Sequence, residues 1–208
     1  MNYSFVRAVA VAAMVAAVGG CGSSPPVSYH ALSSPASPRA SGEARVLVEM
    51  LPVAVPERLN REEMVLTDEA GHLDVRDLDR WAGPPADEIR QILADSLWQR
   101  LRAVDVYQAP VAPTASGLPQ YRLALRIERF EAKVGTAATV EASWTARRLP
   151  QGHGATCRVS VSLPLPDRTP NAAAAALAEA AGRMAGAVTD SLGRLDQSAA
   201  DPCASEAP

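Results

Sequence analysis

Between residue 44 and residue 196 the chain switches between two hydrophobic periods, and the switches mark its elements. Residues 45–50 read as a strand that Pro52 and Pro56 stop. Residues 63–67 and 72–76 read as two short strands joined at Glu69, Ala70 and Gly71, a predicted hairpin. Pro84-Pro85 then opens a helix with Ile89, Ile92, Leu93, Leu97 and Leu101 on one stripe. Asp87 and Glu88 in its first turn, and Arg100 and Arg102 in its last, suit the helix dipole.

Period two returns in three longer runs. Tyr121, Leu123, Leu125 and Ile127 alternate with Arg122, Ala124, Arg126 and Glu128. Phe130 breaks that phase, which predicts a bulge or strand end near Arg129. Val140, Ala142, Trp144 and Ala146 alternate with polar residues in the second run, and Cys157, Val159, Val161 and Leu163 in the third. One buried and one wetter face is typical of antiparallel pairing, and the short Gly-containing connections favour a meander. A last helix starts at Thr169-Pro170, an N-cap followed by Pro at the first helical position. Leu177, Ala181, Met184, Val188, Leu192 and Leu195 make its stripe. Gly182, Gly186 and Gly193 either weaken this helix or let it pack closely against the sheet.

The expected architecture is a single α/β domain of α+β character, with a mixed, largely antiparallel sheet and two long helices. One sheet face is expected to be only partly covered.

The ends read differently. Residues 1–20 carry one basic side chain, Arg7, then an apolar run and the small pair Gly19-Gly20, which is the grammar of a secretory signal. The run is short for a membrane span, which needs about 20 apolar residues. Cys21 follows at once, and the arrangement resembles a bacterial lipoprotein signal, in which acyl chains such as palmitate are placed on the mature N-terminal Cys. A plain soluble secretory signal is the rival reading. Residues 21–43 are expected to be the lipidated Cys and a flexible Ser/Pro linker, with a brief contact near 27–32. Residues 197–208 are expected to be a disordered tail.

Composition narrows the function. Net charge is −3 over 208 residues, which gives no electrostatic case for nucleic acid. Hydrophobic residues make up 48% but aromatics only 4%, so the core rests on Leu, Val, Ile and Ala. The chain has no Gly-x-Ser-x-Gly elbow and no phosphate-cradling Gly-rich loop. His153 and Cys157 are two metal-ligand types, and zinc wants three or four. The acidic run Asp74, Asp77, Asp79 lacks the Gly and closing Glu of a calcium loop. No metal and no cofactor is expected. With Cys21 set aside, Cys157 and Cys203 remain. An oxidising compartment permits their pairing; Cys157, in phase with apolar neighbours, equally fits a buried thiol.

Two stretches are distinctive. Residues 56–65, with Leu59 and Arg61, resemble the P-x-Y-L-D-R-P-Q-I-V segment of the PqiC-type lipoproteins, the ABC-type transport auxiliary lipoprotein family. Residues 72–84, with Arg80-Trp81-Ala82, resemble the segment that leads into that family's helix. Residues 121–131 and 141–144, ending in Trp144, resemble its strand pair. Asn60, Glu62-Glu63 and Pro85 depart from the family pattern. The resemblance implies an α/β sandwich similar to anticodon-binding and TolB N-terminal folds. It also implies a non-enzymatic outer-membrane lipoprotein that faces the periplasm. Such a protein is an auxiliary subunit of an MCE/ABC-type lipid transport system and supports outer-membrane integrity. The implied partner is an MCE-domain transport protein, and a homo-oligomer is compatible. Leu59, Arg61, Arg80, Trp81 and Trp144 are then structural or interface positions. The alternative reading is a periplasmic lipid- or solute-binding carrier lipoprotein.

Overall fold

A computed structural model describes residues 25–32, 41–110 and 117–203. Cys21 lies outside the described residues. The elements run β1 (Ser28–His30), β2 (Val46–Met50), β3 (Glu63–Thr67), β4 (Leu73–Trp81), α1 (Pro85–Leu101), β5 (Ala103–Asp105), β6 (Gln120–Lys133), β7 (Ala137–Arg148), β8 (Gly154–Pro164) and α2 (Pro170–Asp196).

The long strand β6 is the spine of one eight-stranded mixed sheet. Along one edge it pairs antiparallel with β7, which pairs antiparallel with β8. This is the meander that the alternation predicts. The other edge of β6 is shared. Parallel β2 takes its start, with Leu47 opposite Gln120 and Met50 opposite Leu123, and parallel β3 takes its end, with Leu66 opposite Ala132. Ala54 bridges to Arg126 between them. Pro52 and Pro56 supply no N–H and divert the chain there, into a 3-10 turn at Glu57–Leu59. Parallel β5 extends the sheet beyond β2, and the β3–β4 hairpin followed by parallel β1 extends it at the other end.

Both helices lie on one side. Helix α2 covers β7 and β8 and packs on α1. The core between them holds Ile89, Leu93 and Leu97 of α1, Leu177, Met184, Val188 and Leu192 of α2, and the inward row Tyr121, Leu123, Leu125 and Ile127. A register shift between Ile127 and Arg129 adds one residue, which explains why Phe130 returns to the buried face. Thr169 Oγ1 accepts from the Ala172 N–H and caps α2. Gly186 and Gly193 serve the helix pair rather than the sheet. A Cβ at Gly186 would lie 3.2 Å from Arg100, and one at Gly193 3.2 Å from Leu101, both on α1. Ser96 and Thr189 hydroxyls meet across the same seam at 2.9 Å.

The second sheet face is polar and open, as expected. It carries cross-strand pairs: Arg122 grips Glu49 with two nitrogens, at 2.8 and 3.2 Å, and Arg158 meets Glu128 at 2.5 Å. Hydroxyls line up at Thr139–Ser162 and Thr145–Thr156. These cross-strand pairs stabilise the open face.

Both ends of the domain are tied to the sheet. Residues 28–32, where a brief contact is expected, join the folded domain. Ser28, Tyr29 and His30 pair with Asp79, Arg80 and Trp81, and Leu32 is buried in the core. The expected loose tail is tied down within residues 197–203, because Cys203 is disulfide-bonded to Cys157 of β8 with the Cα atoms 5.4 Å apart.

Tyr121 links the end of α2 to β6. Its hydroxyl donates to Asp196 at 2.5 Å. Burial first, and then the bond to Asp196, pushes its phenol up from 10.0 to about 12. The folded state therefore favours the neutral phenol. This stabilisation is complete below pH 10 and is lost as pH rises towards 12. Urea unfolding across that window should show the decline, and Tyr121→Phe should flatten it.

Candidate docking face at the first and fourth strands

The sequence-distinctive residues converge on one end of the sheet. Strand β1 is an edge strand that, among the described residues, pairs only with the last three residues of β4. Its placement is specified by several bonds. The His30 ring meets Asp79 Oδ1 at 3.0 Å in a buried position, and Asp79 also faces Arg76 at 3.5 Å. The Ala82 N–H donates to the His30 carbonyl at 2.8 Å, and the Leu32 N–H donates to the Glu88 carboxylate in the first turn of α1. Glu88 thus joins the helix start to the arriving chain.

Arg80 and Trp81 lie at this junction. Trp81 is 5% exposed, and its ring sits 5.8 Å from that of Phe130 at a 59° tilt. Its neighbour Arg80 points the other way in the pleat and reaches Glu62 at 3.5 Å and the Asp77 carbonyl at 3.2 Å. Arg61 bonds Glu63 at 2.9 Å, and this bond, helped by the nearby Arg61 and Arg80 charges, holds the Glu63 carboxyl below the usual range. Leu59 in the 3-10 turn is half-buried against the core. Leu59, Arg61, Arg80 and Trp81 therefore share the start of β3 and the end of β4. Trp144 does not join them. It is buried on β7 under α2, with its indole N–H donating to Ser191 at 3.1 Å, and Ser191 also lies 3.4 Å from the Cys157 sulfur.

The remainder of β4 is unusual for a strand. The hairpin pairing shifts between Glu63 and Met64, where Glu63 faces Arg80 but Met64 faces Arg76. Asp77, Leu78 and Asp79 form the resulting irregularity. Beyond it, residues 73–76 pair with β3 on one edge and with no strand on the other among the described residues. The turn that starts the strand is tight. Gly71 has φ +92°, a value that suits glycine, and the His72 N–H and ring both bond Asp68, which holds the Asp68 carboxyl below its usual range. Tyr29, Leu73, Val75 and Leu78 are exposed around this edge. Sequence reading missed them as surface residues: alternation marks a strand, and which face is covered depends on the helices.

Among the described residues no group of three or more His, Cys, Asp or Glu is placed to hold a metal ion. No described helix is long and apolar enough to cross a membrane.

The fold defines a class: a mixed open sheet with both helices on one face and an N-terminal edge strand. Two of the solved structures that resemble it show the same fold. One is an uncharacterised protein with a TM-score of 0.65 and 18% identity, covering 81% of this chain and 99% of its own. The other, from Xanthomonas campestris and of the DUF330 family, has a TM-score of 0.60 and 20% identity, covering 82% and 99%. No curated protein matches the chain significantly. The family follows from the sequence: residues 30–189 match the ABC-type transport auxiliary lipoprotein component, and the chain belongs to that family. It is thus a lipoprotein-type component of a transport system, with a transporter as the implied partner.

Proposed function

We propose that the chain is a non-enzymatic lipoprotein of the outer membrane, anchored through Cys21 and facing the periplasm. It acts as an auxiliary subunit that brings an MCE-type lipid transporter to that membrane and so supports membrane integrity. The observation that carries this reading is the family match across residues 30–189, which takes in nearly the whole fold, behind a Cys that follows Gly19-Gly20. The Cys157–Cys203 bridge supports export, since disulfides persist in oxidising compartments. Gly22 after the Cys supports sorting to the outer membrane, because Asp there is the usual inner-membrane retention signal.

Two acyl anchors hold a protein firmly where one does so marginally. A Cys21→Ser chain should therefore leave the membrane fraction and appear in the soluble periplasmic extract. Co-purification of the native chain from detergent-solubilised envelopes should recover an MCE-domain protein. Recovery of the chain alone with a lipid enclosed in it would favour a carrier instead, and sedimentation of Cys21→Ser with the outer membrane would remove the anchor from the account.

A further inference from the structure

We infer that the β1–β4 edge is a second membrane contact, which lies in the headgroup region of the leaflet that holds the Cys21 acyl chains. The inference rests on the proposed acylation of Cys21 and adds an orientation to it.

The first observation is the distribution of exposed apolar side chains. Six large ones are exposed among the described residues: Val27, Tyr29, Leu73, Val75, Leu78 and Tyr107. Five belong to β1, to β4 or to the residue that leads into β1; Tyr107 alone follows β5, near the opposite limit of the sheet. Tyr29 and Leu73 are the most exposed, at 68% and 62%, and it is the grouping of five such side chains on one edge that marks a contact surface.

The second observation is chain length. Only six residues separate Cys21 from Ser28, the first residue of β1, and they include Pro25-Pro26. Seven steps of extended chain span at most about 25 Å, and a random chain of that length about 15 Å. A tether of twenty or so residues, as the linker composition suggests, would let the domain turn freely. With β1 locked to β4, the tether instead ends on the edge that carries the apolar side chains. That edge is held against the leaflet.

The third observation selects lipid over a charged protein partner. The charges that flank the patch are of both signs and pair locally: Arg61 with Glu63, Arg76 with Asp74, Arg80 with Glu62. They leave no strong field to steer an oppositely charged surface. A tyrosine among scattered aliphatic side chains suits the headgroup level, where an apolar ring and a polar hydroxyl are both satisfied. The pairing is local, so the contact should survive high salt, unlike a polybasic one.

The test uses the full acylated chain in vesicles of phosphatidylethanolamine and phosphatidylglycerol. An environment-sensitive fluorophore is attached at Tyr29→Cys, Leu73→Cys, Leu78→Cys or Tyr107→Cys, and mass spectrometry of the mature N-terminus establishes acylation. At the first three sites aqueous iodide quenching should be lost on vesicle binding, at low and high salt alike. At Tyr107→Cys it should remain as in detergent-free solution. A Leu73→Asp, Leu78→Asp double variant should stay vesicle-bound yet restore quenching at Tyr29→Cys. If the acylated, vesicle-bound chain is quenched equally at all four sites, the edge does not meet lipid and the inference is overturned while the anchor stands. Protection that appears only in native envelopes, not in protein-free vesicles, assigns the edge to a protein partner and overturns it too. If mass spectrometry finds Cys21 unmodified, the anchor itself fails and the orientation argument falls with it.

Discussion

A Trp81→Ala chain is expected to lose about 3–5 kcal/mol of stability, the usual cost of truncating a buried aromatic. For a domain of this size that lowers the thermal midpoint by roughly 6–20 °C. The ring is 5% exposed and packs on Phe130, so most of its surface leaves water on folding. The loss would not stay local. Trp81 stands opposite His30 in the β1 pairing, and its N–H donates to the Glu62 carbonyl at 2.7 Å. A collapsed or vacant site there loosens β1, and with it the point where the tether joins the fold. Trp81→Phe should recover most of the midpoint by keeping a ring against Phe130. Calorimetry of the three proteins checks this. An unchanged midpoint in Trp81→Ala, together with lost partner recovery, would make Trp81 an interface residue instead.

This residue also shows how much was legible in the sequence. Trp81 and Arg80 stand out through the family resemblance, and their position before a Pro-Pro helix start is sound. Pattern alone could not place one inside and the other outside. That follows from the pleat and from Phe130, forty-nine residues later. The long elements were legible because period two and period 3.6 differ over ten or more residues. Strand β6, its bulge, the β6–β7–β8 meander and the Thr169 cap all follow from that difference. The two shortest parallel strands were not. Strands β1 and β5 have three residues each, too few for a period, and exist because a neighbouring strand offers its edge. The mixed sheet arises from these non-local pairings, which no local rule encodes. The candidate docking face was illegible for the same reason: Leu73 and Val75 alternate like core residues, but no described helix covers them.

The second large effect should come from Arg90, which the helical pattern hides among polar positions. It is 7% exposed, on α1 between the sheet and the β5 loop. Nη1 donates to the carbonyls of Met50 at 2.6 Å and Leu51 at 2.9 Å, and Nη2 bonds the Asp105 carboxylate. Its guanidinium lies 5.5 Å from the Tyr107 ring. Asp105 in turn accepts from the Met50 N–H at 3.3 Å and the Tyr107 N–H at 2.9 Å. One side chain therefore ties α1 to the end of β2, where Pro52 has already interrupted the ladder, and to β5. Removing one member of a buried pair leaves the other charge uncompensated, which costs about 3–5 kcal/mol. Arg90→Ala should fall in that range by urea unfolding, because two carbonyls lose this donor and the Asp105 carboxylate loses its cation. Arg90→Lys should recover little of the loss. A single ammonium on a flexible stem cannot supply the planar fork that reaches three acceptors at once. Full recovery by lysine would mean that only the charge matters, and the clamp would then be electrostatic rather than geometric.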